Sequence, residues 1–225
     1  MRESLLLLVA LGLLLAAPQG LPPGGKLAIA QARPPTLPPQ ALGVPLVRQQ
    51  TGYSCGPAVL RSVLKYFGVW DGPEQQLYKI VHTSVEEGTL PEDLASGTRH
   101  FGLSAVVEPL MTIERLRLHL GLGKRVIVQL QAWRDAERKA LPWREVWDDG
   151  HYVVLVALDD GFAYFMDPST SGAYTYMPLR ELMERWHDVN QIRPVPFTPY
   201  DLQLGVVIGD IVRRAKDRGE ELDSA

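Results

Sequence analysis

The apolar residues of this chain change period several times, and each change marks an element. Between Gly56 and Phe67 the residues Val59, Leu60, Val63, Leu64 and Phe67 recur at steps of three and four, the pattern of a helix with one buried face. Gly56-Pro57 suits its first turn, where proline lacks only an N–H without a helical partner. Ser54 stands at the capping position, and Gly68 closes the run. Further helices are predicted over 73–81, with Leu77, Ile80 and Val81 inward, and over 91–101, where Thr89 and Glu92 have capping-box spacing. Others are expected over 113–120, closed by Gly121, and over 179–186.

Strand patterns alternate with these. Residues 103–108 read as a short strand, and 125–130 as a strand by their β-branched content. The run from His151 to Leu158 is apolar throughout, which predicts a central strand covered on both faces. Asp159-Asp160-Gly161 turns it, Phe162 to Met166 returns, and Asp167-Pro168-Ser169 leaves. A hairpin of this kind sets the start of one strand beside the end of the next, so His151 and Asp167 are expected to be spatial neighbours. A short strand follows over 174–177, and residues 202–215 read as a C-terminal amphipathic helix before a charged tail.

One long stretch obeys no period. From Trp133 to Asp149, Trp133, Trp143 and Trp147 stand among Arg134, Arg138, Lys139, Arg144 and several acids. It reads either as an amphipathic surface helix and loop or as a lid over a cleft, and its place just before His151 favours the lid.

The chain has 225 residues, 46% of them hydrophobic and 22% charged, enough for one domain with a sizeable core and an appendage. A net charge of −3 with scattered Lys and Arg gives no basic face for nucleic acid. Arg2, the apolar run Leu5 to Ala17 and the small residues at 28–32 form an export-signal pattern. The apolar run is too short to span a bilayer comfortably. Residues 1–32 are accordingly expected to be a signal peptide cleaved after Ala30 or Ala32, with a membrane anchor as the outcome if cleavage fails. Residues 33–46 form a proline-rich spacer, 47–192 the domain, and 193–225 a C-terminal extension. The expected location is extracytoplasmic, periplasmic or secreted.

Export sharpens the meaning of Cys55, the only cysteine. Exported chains use cysteines mostly in disulfide pairs, and a lone thiol has no partner in its own chain. It is then either a small buried hydrophobe or a nucleophile. Its place at a helix N-terminus, where the macrodipole favours thiolate, supports the nucleophile. A thiol needs a base, and the base a group that orients it; His151 and Asp167 complete such a set. The oxyanion of acyl transfer needs donors, supplied by the Cys55 N–H and a side-chain amide. Gln49 and Gln50 compete for that second role on spacing alone. His82, His100, His119 and His187 lie at helix ends or surfaces as solvated or capping residues, Asp148, Asp149, Asp159 and Asp160 read as turn residues, and no HExxH or CxxC spacing suggests a metal. No cofactor or metal is expected.

Gln49-x5-Cys55-Gly56-Pro57-Ala58-x-Leu60, then Gly150-His151-Tyr152-Val153-Val154, then Asp167-Pro168-Ser169 resemble the motifs of the peptidase C39 family, papain-like cysteine peptidases best known from bacteriocin-exporting transporters. The resemblance covers roughly residues 43–188. It implies Cys55 as nucleophile, His151 as base, Asp167 as orienting residue and Gln49, rather than Gln50, as oxyanion donor. It also departs from the transporter-linked pattern: Ser54 stands where an Asp is usual, and no transporter domain follows. Gly24-Gly25 lacks the apolar spacing of a double-glycine leader and reads as a spacer turn. The fold expected is α+β and papain-like, with the Cys55 helix packed on an antiparallel sheet carrying His151 and Asp167. The function expected is that of a standalone, monomeric, bacterial exported peptidase acting on peptide or protein through a thioester acyl-enzyme. Another thiol acyl-transfer activity, amidase or transpeptidase, and a non-catalytic peptide-binding domain are the alternatives.

Overall fold

A computed structural model describes residues 36–170, 173–189 and 200–211. The signal pattern, Gly24-Gly25, the start of the spacer, the proline-rich stretch 193–199 and the charged tail lie outside them. The helix around Cys55 is α1 (Cys55–Tyr66), followed by α2 (Gln75–Ile80), α3 (Pro91–His100), α4 (Ile113–Gly121) and α5 (Leu179–Arg185). The strands are β1 (Leu103–Glu108), β2 (Arg125–Gln131), β3 (Gly150–Leu158), β4 (Phe162–Met166), β5 (Thr175–Pro178), β6 (His187–Val189), β7 (Tyr200–Leu202) and β8 (Gly205–Ile211).

Six strands form one antiparallel sheet in the order β1-β8-β2-β3-β4-β5, and β6 pairs with β7 apart from it. Alternation along the strands sends apolar side chains to both faces. On one face Tyr152, Val154 and Val156 of β3 and Val206 and Ile208 of β8 meet Val59, Leu60, Val63 and Leu64 of α1 and Leu94 of α3. On the other, Val153 and Leu155 of β3 and Val126 and Val128 of β2 meet Leu116 of α4 and Leu182 of α5. The prediction of a strand covered on both sides therefore holds for β3, buried from His151 to Leu158.

Several local expectations change. Residues 202–215 were predicted to form a helix, but Gly205–Ile211 is a strand inside the sheet, between β1 and β2. The run Val206-Val207-Ile208 satisfies a two-sided strand once two partner strands exist, whereas a lone helix would leave part of it wet. The second half of the spacer is likewise packed: Val44 is buried, Leu42 N–H donates to Val156 O at 2.7 Å, and the Tyr174 hydroxyl donates to Val44 O at 2.7 Å. Neither expected side-chain cap forms at α1 or α3. Pro91 starts α3, so Leu90 holds the cap position, and Thr89 instead bonds Thr83 at 2.6 Å. The Ser54 hydroxyl turns back to accept the Thr51 N–H at 3.0 Å. Gly121 lies within α4, and the turn after it uses Gly123, whose φ is +73°.

An internal position for β8 gives a sharp expectation. Ile208→Asp would bury an unpaired carboxylate among the α1-side core residues and should cost about 3–5 kcal/mol. The exposed Asp210→Ala change should stay within about 0.5 kcal/mol. Chemical denaturation monitored by circular dichroism reads both; equal stabilities would place this segment outside the core.

Candidate active site

Cys55 opens α1, half-buried at the edge of the core. Its neighbour must be small: a Cβ at Gly56 would stand 2.6 Å from Thr89 Oγ1 and 2.7 Å from Thr89 Cβ. The Thr89 carbonyl in turn accepts the Tyr152 hydroxyl of β3 at 3.0 Å. One threonine thus fits the start of the cysteine helix to the strand that carries His151.

The β3–β4 hairpin delivers the contact expected from it. His151 Nε2 donates to Asp167 Oδ1 at 2.8 Å. Asp167 Oδ1 also accepts the Ser169 N–H at 2.8 Å and the Ser169 hydroxyl at 2.7 Å. Burial works to raise the Asp167 pKa, but the hydrogen bond and charge of His151, with the Ser169 donors, bring it below the ordinary value. Burial likewise works to strip His151 of its proton. The Asp167 hydrogen bond, then the adjacent Cys55, outweigh it, and the pKa is pushed up to about 9. Since Nε2 faces Asp167, the nitrogen left for the thiol is the buried Nδ1, and Cys55 is close enough to favour the charged ring. An imidazolium beside a sulfur is the arrangement that stabilises a thiolate.

The two candidate amides separate clearly. Gln49 is partly buried; its N–H donates to Pro168 O at 2.9 Å, tying the loop before α1 to the turn that carries Asp167. Its side-chain Nε2 donates to Thr51 O at 2.7 Å, while Oε1 is buried without a partner. Gln50 is exposed, and its side chain pairs with Gln75 on α2.

The segment from Trp133 to Asp149 surrounds one side of this group. Its only described helix is a single 3-10 turn, Trp143–Glu145, so the amphipathic surface helix is not formed. Cation–aromatic contacts hold it instead. Arg134 and Arg185 each lie 4.0 Å from the Trp143 ring centroid, and Arg185 also donates to the carbonyls of Gln131 and Ala132. The Trp133 ring lies 4.8 Å from the His151 ring, tilted by 54° to it, with nearly half of its surface exposed.

A cavity of about 490 Å³ opens beside Cys55, between Tyr53, the Glu86–Gly88 turn, Trp147 and Asp188. Asp188 accepts the side-chain amides of Gln129 at 2.6 Å and Gln131 at 3.0 Å. A Cβ at Gly150 would stand 2.0 Å from its carboxylate, so a side chain before His151 would push Asp188 off these amides.

Residues 43–190 match the family model described as the Peptidase C39 family. The chain belongs to the peptidase C39 family. This C39 peptidase is 30% identical over 124 residues to an uncharacterized protein of Methanothermobacter marburgensis, spanning 55% of this chain and 71% of that one. It also superposes on a C39-like peptidase from Bacillus anthracis, at 16% identity with a TM-score of 0.53, over 77% of this chain and 96% of the other. The peptidase domain of Streptococcus ComA, an ABC transporter, superposes at 20% identity and a TM-score of 0.52, over 73% and 97%. A double glycine motif protease from an AMS/PCAT transporter, solved with its leader peptide, does so at 20% and 0.50, over 75% and 93%. The fold is that of C39 peptidase domains, α+β and papain-like, and the chain is a cysteine peptidase.

Several features of this C39 peptidase had no sequence signal or a misleading one. His119 and His187 lie at helix ends as expected but are not solvated: His119 is buried against Glu108 at 2.9 Å, and His187 is buried with Nε2 donating to Val146 O at 2.7 Å. Burial depresses the His187 pKa, and the Val146 bond offsets this in part. Glu74, fully buried beneath the loop before Cys55, lies far from any motif. Asp159 does turn the hairpin, accepting the Gly161 and Phe162 N–H groups at 2.8 and 2.7 Å.

The His151 environment predicts a pH dependence of known sign. Its folded pKa, about 9, lies above the ordinary 6.5. The stability it contributes is fully present below about pH 6.5 and lost as pH rises through about 9. Asp167→Asn removes the charge, so the imidazole resonance followed by NMR should titrate at least about one pH unit lower. An unchanged midpoint would show that Asp167 does not hold the ring protonated.

Proposed function

We propose that this chain is an exported peptidase that cleaves peptide bonds through a thioester on Cys55, with His151, Asp167 and Gln49 as its partners. The reading rests chiefly on one observation: His151 donates Nε2 to Asp167 while its other nitrogen is left for a half-buried cysteine at a helix N-terminus. The Cys55 thiolate attacks the scissile carbonyl, forming a C–S bond and an oxyanion. The Cys55 N–H and the Gln49 amide donate to that oxygen. The oxyanion collapses, the C–N bond breaks, and His151 gives its proton to the leaving amine. Water then attacks the thioester, His151 takes one of its protons, and collapse releases the acid and the thiolate. Asp167 keeps the ring oriented throughout and stabilises its positive charge.

Arg2 and the apolar run Leu5 to Ala17 support export, with cleavage near Ala30 or Ala32 and an extracytoplasmic site of action. The substrate is a peptide, entering the cavity beside Cys55. Such a substrate accords with the leader peptide bound by the related double glycine motif protease.

Iodoacetamide labelling against pH tests the site without a known substrate. Cys55 should label rapidly at pH 6, whereas an unperturbed thiol reacts well only near its pKa of about 8.5. His151→Ala should slow labelling at pH 6 by at least about tenfold, and Cys55→Ala should abolish cleavage of secreted peptides followed by mass spectrometry. Ordinary thiol behaviour in both the native chain and the His151 variant would sink the proposed mechanism.

A further inference from the structure

Beneath the loop that leads into Cys55 lies a carboxylate that this chemistry leaves unused. Glu74 immediately precedes α2 and is fully buried. Its Oε1 accepts the Gln50 N–H at 3.2 Å and the Tyr78 hydroxyl at 2.9 Å, while Oε2 is buried without a protein partner. A carboxylate so poorly satisfied is costly to bury, and helix packing alone gives no reason for one here. The Tyr78 ring stands edge-on to Tyr53 at 6.0 Å, and Ser54 Oγ accepts the Thr51 N–H at 3.0 Å. Apart from the Glu74–Tyr78 bond itself, these contacts end on the turn between Gln49 and Cys55. None ends on His151 or Asp167.

That turn carries both candidate donors to the oxyanion, the Gln49 amide at one end and the Cys55 N–H at the other. Oxyanion stabilisation depends on donors fixed before the charge appears. We propose that Glu74 is a positioning residue for acyl transfer: through the Gln50 N–H and Tyr78 it fixes the 49–54 turn so that both donors converge on the forming oxyanion. The inference rests on the reading of Cys55 as nucleophile. It predicts a particular split, because a group that orients oxyanion donors matters only to reactions that form an oxyanion.

Two reagents separate these cases in the full chain. p-Nitrophenyl acetate acylates a thiol through a tetrahedral oxyanion, whereas iodoacetamide alkylates it by displacement at carbon with none. Glu74→Ala should slow acetylation of Cys55 by about 100-fold while iodoacetamide labelling changes less than about threefold. Glu74→Gln keeps an acceptor for both donors and should recover acetylation to within about tenfold of native. If the alanine variant does not fold by circular dichroism, Tyr78→Phe, which removes one donor from the same carboxylate, is read in the same way. Acetylation at the native rate in the folded variant overturns the inference. So does an equal fall in both reactions, which marks a structural role only. A native chain whose Cys55 reacts with neither reagent refutes the nucleophile and the Glu74 role with it, whereas a reactive native chain with a silent Glu74 leaves the mechanism standing.

Discussion

A thiol and an imidazole far apart in the chain must meet within a few ångströms, and the packing of α1 across β3 is what brings them together. The buried face of α1 meets Tyr152, Val154 and Val156, and these strand residues follow His151 directly. Sliding α1 along the sheet would separate sulfur from nitrogen while exposing apolar surface, so core packing and site geometry are enforced by the same contacts. Thr89 adds a local stop, filling the space beside Gly56 while accepting the Tyr152 hydroxyl. A well-packed core deforms little, which makes it a good mount for a site whose hydrogen bonds tolerate only small errors.

The electrostatics depend on the same arrangement. His151 is almost wholly buried, and a buried ring would ordinarily shed its proton. Asp167 reverses that outcome because the hairpin holds its carboxylate at hydrogen-bond distance, and Ser169 keeps it oriented. Trp133 covers part of the imidazole, and the limited access of water strengthens the interaction between the charges around the ring. The aromatic segment therefore bears on the chemistry through shielding as well as through the wall that Trp147 gives the cavity.

Legibility in the sequence followed the range of the interactions that decide each element. The helix after Cys55 and the hairpin joining His151 to Asp167 were readable because a few neighbouring residues specify them: apolar steps of three and four in one case, an Asp-Asp-Gly turn in the other. β8 was misread because Val206-Val207-Ile208 suits a helix face or a buried strand equally, and its partners β1 and β2 lie far back in the chain. Ser54 and Thr89 look like caps by type and position, yet tertiary hydrogen bonds claim both hydroxyls. The preference for Gln49 over Gln50 came from motif spacing, and the physical difference between them, one tied to the Asp167 turn and the other to α2, exists only in three dimensions. Glu74 could not have been chosen from among the chain's many acids without knowing what it touches.

The place of β8 has a consequence for how the core under the site is completed. Among the described residues β1 joins the sheet solely through β8, the last of the described strands in chain order. Cys55, His151 and Asp167 have all been made before it, yet the sheet beneath them stays open, with Val206 and Ile208 missing from the core under α1 and α3. Domains close as units, and pairings across long sequence separations form late. The setting of the site is thus finished late, because the strand that fills the core under α1 and α3 pairs across a longer sequence separation than the hairpin that joins His151 to Asp167.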